Sequence, residues 1–154
     1  MARKSAGLLM YRKRAGQVEV FLIHPGGPFC ARKDDGAWSI PKGEFTDEEA
    51  PLDAARREFQ EETGFTASGR FVGLEPITQA GGKVVHAWAM EGDCDAAAAR
   101  SNTFSMEWPA HSGQWKTFPE ADRAGWFSLP EAEVKILKSQ RPLLDQLREL
   151  LRGG

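Results

Sequence analysis

An α/β fold, with one β-sheet covered by helices on both faces, is the class the sequence predicts, and three observations carry it. β-rich apolar runs open the chain at "SAGLLMYR" (5–12) and "QVEVFLIHP" (17–25) and return at "KVVHAWAM" (83–90). Stretches of helical periodicity interrupt and follow them, after Pro51 and after Pro142. At 154 residues the chain suits one domain with a core that stands without disulfides. Strands flanked by helices in a chain of this size pack as a sheet between helical layers.

The first two runs form a hairpin across Ala15-Gly16. "GGPFCARKDDG" (26–36) is a loop rich in glycine and charge that delivers the chain to "AWSIPKGE". From Pro51 to Thr63 the pattern is helical, because Leu52, Ala55 and Phe59 fall on one face. Pro51 suits a first helical position and Gly64 the residue after the last turn. Ala50 is a poor cap, so another contact must hold the helix start. "GRFVGLEPI" (69–77), "KVVHAWAM" and "TFSMEW" (103–108) read as strands, 109–123 as a long loop, and "GWFSL" (125–129) as a short strand. Ser128-Leu129-Pro130-Glu131 is a capping-box start for a helix. In the last helix Leu143, Leu144, Leu147, Leu150 and Leu151 form a stripe that packs on the sheet.

Composition narrows the function classes. With 41% hydrophobic and 27% charged residues the chain reads as an ordinary globular protein. A formal net charge of −2 supplies neither a basic field for double-stranded nucleic acid nor a polybasic patch for a membrane, so neither is expected as a partner. "MARKSAGLLMYRKRAG" returns to charge after a short apolar run and reads as neither signal peptide nor membrane span, which makes the cytoplasm the expected location. Cys30 and Cys94 lack the spacing of a disulfide framework or zinc site and read as structural thiols.

The chemistry concentrates in "GEFTDEEAPLDAARREFQEETGF" (43–65), where eight residues are Asp or Glu. At about 100° per residue, with Glu58 at zero, Glu61 lies near −60° and Glu62 near +40°, so the three share a face. Leu52, Ala55 and Phe59 centre near +90°, so the acids border the buried stripe instead of lying opposite it. A merely solvated helix would turn its acids outward and alternate them with lysines. Crowded carboxylates at the edge of the protein body call for a hard cation such as Mg²⁺.

These residues carry a resemblance. Gly43, five residues, Glu49, seven residues, then Arg57-Glu58-Phe59-Gln60-Glu61-Glu62-Thr63-Gly64-Phe65 is similar to the complete signature of the Nudix hydrolases, with seven identities and apolar Phe59 and Phe65 at the two remaining positions. The resemblance implies a Nudix-type α/β/α sandwich with a mixed β-sheet. It also implies a hydrolase that breaks a phosphoanhydride bond in a nucleoside diphosphate derivative by attack of water, with Mg²⁺ or Mn²⁺ as cofactor and a small nucleotide as substrate. Glu58 and Glu62 match the principal metal ligands, Glu61 a further one or a holder of metal-bound water, and the backbone carbonyl of Lys42 or Gly43 another. Arg57 and Glu49 match the ion pair that ties the loop to the helix, which would hold the poorly capped start.

The proton acceptor is left open between Glu58, Glu61 and an acid outside the motif. Many relatives carry a metal-binding or proton-accepting Glu ahead of a "WF" pair, a place Glu120 matches in "FPEADRAGWFSL", with Asp122 as competitor. Lys42 in "PKG", and Arg32 and Lys33 in the preceding loop, suit substrate phosphates. His24 and His86 are expected to be structural, and at least two of Trp88, Trp108 and Trp115 to serve core packing. For the substrate, relatives that split diadenosine polyphosphates often carry a Tyr beyond the motif and ADP-ribose hydrolases a Pro, whereas "TQAGGKV" (78–84) has neither. The "PKG" lead-in and small size resemble the dinucleoside polyphosphate group more than the sugar-nucleotide group, and a nucleoside triphosphate is a further candidate. The alternative is a catalytically weak Nudix module that binds a nucleotide as a sensor.

Overall fold

The structure, a computed structural model, describes residues 3–153. Its sheet is built on β1 (Lys4–Arg14), which forms the expected hairpin with β2 (Gln17–Pro25). Apolar residues fill both faces of these strands. Ala6, Leu8 and Met10 of β1 and Phe21 and Ile23 of β2 face one way; Leu9, Val20 and Leu22 face the other. Strands buried on both sides need a helical layer on each, as predicted for this class.

One layer is α1 (Pro51–Thr63), which packs Ala54, Ala55 and Phe59 into the first core. The other is α2 (Leu129–Lys135) with α3 (Arg141–Arg152), whose Leu143, Leu144 and Leu147 are wholly buried in the second. Ser128 and Glu131 make the predicted reciprocal capping box at α2. The hydrogen-bonded strand order is β4-β6-β1-β2-β9, with β4 (Phe71–Gly73), β6 (Val84–Glu91) and β9 (Ala121–Ser128). β1 and β6 run parallel and the other pairs antiparallel, so the sheet is mixed.

The strand β3 (Lys42–Glu44) positions the site. The chain crosses from β2, where Ser39 bridges Ile23, to β1, where β3 pairs with Ser5, Ala6 and Gly7. It therefore delivers Lys42 and Gly43 onto the sheet surface that α1 covers.

Three expectations are corrected. The stretch 109–123 is not one long loop, because β7 (Thr103–Glu107) and β8 (Trp115–Pro119) form a separate two-stranded ribbon and β9 begins at Ala121, ahead of the expected short strand. Its polar residues stay in a strand because tertiary partners hold them, Asp122 on His24 and Arg123 over the Trp38 ring. The single strand expected over 69–77 is split into β4 and β5 (Ile77–Thr78), since Pro76 brings no N–H to the ladder. Of the three tryptophans only Trp88 packs against a core; Trp108 pairs edge-on with exposed Phe29 at 5.3 Å, and Trp115 stands 70% exposed on the ribbon.

Candidate active site

The start of α1 is held from outside the helix. Ala50 gives no side-chain cap, but Arg57 grips Glu49 with two hydrogen bonds, Nε to Oε2 at 2.8 Å and Nη2 to Oε1 at 2.9 Å. This planar, bidentate pairing anchors the incoming loop to the second turn of the helix. The remaining nitrogen, Nη1, donates to Glu58 at 2.8 Å and to Glu61 at 3.0 Å. One guanidinium thus orients three carboxylates.

Glu58 is almost buried, with its carboxylate against the Cα of Gly43. A Cβ at that position would overlap the carboxylate, so Glu58 can keep this position only beside a glycine. Gly43→Ala is therefore expected to destabilise the fold by about 1–3 kcal/mol, the usual scale of overpacking, and to displace Glu58. Thermal melting beside an activity assay checks it; an unchanged melt with full activity would show that the contact carries no constraint.

The end of α1 is also closed by other chain segments. Gly64 turns left-handed at φ 80°, and its N–H bonds Gln60. The carbonyls of Thr63 and Glu61, orphaned at a helix terminus, accept from the N–H groups of Arg100 at 2.8 Å and Asn102 at 2.7 Å. Asn102 in turn accepts from the N–H of Glu120 at 2.9 Å, and the Glu120 carbonyl accepts from Gly26 at 2.9 Å. The junction between β8 and β9 is thereby stitched to the last turn of α1.

Glu120 consequently lies in the electrostatic field of the helix carboxylates. Burial, with Glu61 adding repulsion, raises its pKa. Glu58 is raised by burial too, with the Arg57 hydrogen bond opposing and Glu61 and Glu120 adding repulsion. Glu62 is lifted to about 8, chiefly by burial and then by Glu58, against the opposing pull of Lys42. Lys42 is itself lowered, first by burial and then by Lys83, while Glu62, Glu44 and Glu58 support its charge.

Among the described residues no three His, Cys, Asp or Glu side chains enclose a common point closely enough to hold an ion. The Arg57 guanidinium takes up one oxygen each of Glu58 and Glu61 and leaves the other free among the described residues. The donor set fits a hard divalent cation all the same. It offers only oxygens, and burial with the repulsion of Glu58 lifts Glu62 to about 8, a cost that a bound cation would offset.

Glu58, Glu61, Glu62, Arg57, Gly43, Lys42 and Glu120 therefore stand together. Arg32 and Lys33 stand exposed on the 26–36 loop, with neither side chain bonded to the carboxylates among the described residues. Asp122 is engaged elsewhere, its Oδ1 lying 2.7 Å from Nδ1 of the wholly buried His24. The backbone contacts of Arg100 and Asn102 have no signature in the sequence, because no side-chain pattern announces a carbonyl closed by a distant N–H. Cys30 and Cys94 are free thiols, and burial lifts the Cys94 pKa to about 11.

The family model described as NUDIX domain matches residues 1–147. No curated protein sequence matches the chain at a significant level. Among solved structures, a Caenorhabditis elegans Ap4A hydrolase in a binary complex is 25% identical, with 99% of this chain and 100% of that one covered and a TM-score of 0.67. The NUDIX domain of Shewanella oneidensis NrtR, solved with ADP ribose, is 17% identical over 98% of this chain and 89% of that one, at a TM-score of 0.67. A mutT/nudix family protein from Listeria innocua is 16% identical over 98% and 94%, at 0.65. The last two show a shared fold. A family match over nearly the whole chain, on the fold and carboxylate helix described above, means that the protein belongs to the Nudix family and is a hydrolase of phosphoanhydrides.

Proposed function

We propose that the protein is a Mg²⁺- or Mn²⁺-dependent pyrophosphohydrolase that cleaves a phosphoanhydride bond in a nucleoside diphosphate derivative, with dinucleoside polyphosphates first and nucleoside triphosphates second as substrates. The observation that carries this reading is the crowded carboxylate group on α1, clamped by Arg57 and Gly43, in which burial and mutual repulsion disfavour the ionised Glu62. The likeness to an Ap4A hydrolase over the whole of both chains supports the order of substrates. Free thiols at Cys30 and Cys94 suit the reducing cytoplasm.

In this reading Glu58 and Glu62 are the principal ligands, with Glu61, Glu120 and the Gly43 carbonyl completing the oxygen set. When bound, the divalent cation neutralises phosphate charge, polarises the phosphoryl group and acidifies water. The chain itself does the positioning. Arg57 orients Glu58 and Glu61, Gly43 admits the Glu58 carboxylate, and Lys42 meets a substrate phosphate. Glu120, on a pinned backbone, accepts the proton of the attacking water.

Mg²⁺ is expected to raise the melting temperature, because it neutralises carboxylates that are crowded only in the folded chain. The rise should depend on pH. Since the folded-state pKa of Glu62 lies above its unfolded value, the metal-free protein loses stability as pH climbs from the ordinary carboxylate range to about 8. The Mg²⁺ shift should accordingly grow over that window and level off above it. Differential scanning fluorimetry in EDTA and in millimolar Mg²⁺ from pH 5 to 9 reads both, and no shift at any pH would contradict the metal site.

A further inference from the structure

A cavity of about 310 Å³ opens beside the carboxylates, with Glu62 in its wall and Trp38, Arg100, Asp122 and Arg123 around it. Its remaining lining is largely alanine, so space is left where larger side chains would fill it. The volume stands at the lower end of small-molecule sites, about 300–1,000 Å³, which is room for one nucleoside and not two.

Asp122 is the fixed polar feature of this wall. His24 is gripped from both sides, Nδ1 lying 2.7 Å from Asp122 Oδ1 and Nε2 2.6 Å from the Lys33 carbonyl, and its ring packs edge-on to Trp38 at 5.3 Å. A wholly buried, doubly tethered ring leaves the carboxylate little freedom. The Asp122 side chain remains 30% exposed, and its Oδ2 makes no hydrogen bond among the described residues. An ionised carboxylate oxygen accepts and never donates, so its ligand must bring donors.

A nucleotide with its phosphates at Glu62 places ribose next in covalent order, and ribose carries two adjacent hydroxyl donors. Arg100 and Arg123 on the same wall offset repulsion between Asp122 and the phosphates. We propose that the cavity seats the ribose of the substrate, that Asp122 accepts hydrogen bonds from its vicinal hydroxyls, and that the enzyme therefore selects ribonucleotides over 2′-deoxyribonucleotides. His24 is a positioning residue that acts through Asp122. The inference rests on the pyrophosphohydrolase reading and narrows its substrate class.

The test compares kcat/KM in Mg²⁺ for ATP against dATP, and for diadenosine tetraphosphate against its bis-2′-deoxy counterpart. Wild type should favour the ribo member by about tenfold or more, the usual weight of a hydrogen bond to a charged group. In Asp122→Ala and Asp122→Asn that ratio should fall toward one through a rise in KM for the ribo member, and His24→Gln should lower it part of the way. A merely structural Asp122 would slow both members alike and leave the ratio unchanged, which overturns the proposal. A wild-type ratio near one overturns it too, even if the variants fail to fold, while leaving the pyrophosphohydrolase reading intact. Absence of turnover on every nucleotide tried would sink that reading and this inference together.

Discussion

Glu62→Gln should abolish most turnover while making the metal-free protein more stable, two effects of opposite sign from one substitution. The amide keeps the shape of the side chain and still accepts the Lys42 backbone hydrogen bond, but it loses the charge that binds a hard cation. Losing about 4 kcal/mol of metal-assisted transition-state stabilisation slows the chemical step roughly a thousandfold. In EDTA above pH 8, the same change removes an anion that burial and Glu58 disfavour, so the variant should melt above wild type and show a smaller Mg²⁺ shift. The pH slope of metal-free stability assigned to Glu62 should disappear with it. Parallel melts and steady-state rates check the pair of effects. Near-normal turnover would mean that the ligands are assigned wrongly, and a lower melting temperature in EDTA would mean that the amide is worse accommodated than the charge.

Glu120→Gln should lower kcat by about 10² to 10⁴, the range of general-base assistance, and change KM little. A base lost from the chemical step weakens the transition state more than the bound substrate. Asp122→Asn should leave kcat within a few-fold, because Asp122 is turned to His24 and acts, in our account, on ribose binding. The two acids thus separate by kinetic parameter. A kcat collapse in Asp122→Asn with Glu120→Gln harmless would move the proton acceptor two residues along the strand. Two near-normal kcat values would return it to Glu58 or Glu61.

What could be read from the sequence divides by the range of the interaction. Helix α1 runs from Pro51 to Thr63 as read, because proline at its start, glycine after its end and apolar residues at helical spacing are local signals. The capping box at Ser128 and the leucine stripe of α3 were legible for the same reason. The crowding of Glu58, Glu61 and Glu62 also follows from helix geometry alone. The ribbon of β7 and β8 was missed in part because its faces are largely exposed, so no alternation separates a buried face from a wet one. The three-residue strand β3 has too few residues for a period, and pairing with β1 defines it. Glu120 reaches the site through backbone bonds among Glu61, Asn102 and Gly26, residues far apart in the chain. The partnership of His24 with Asp122 is likewise a contact between strands paired across the sheet.

Cleavage of a nucleotide phosphoanhydride should depend on a divalent cation held by the α1 carboxylates. The test is ³¹P NMR of diadenosine tetraphosphate and ATP, incubated with wild-type protein and with Glu62→Gln in Mg²⁺ and in EDTA. Wild type with Mg²⁺ should lose anhydride resonances and gain terminal phosphate resonances, with little change in the other three conditions. Cleavage that proceeds equally in EDTA, or survives in Glu62→Gln, would contradict that dependence.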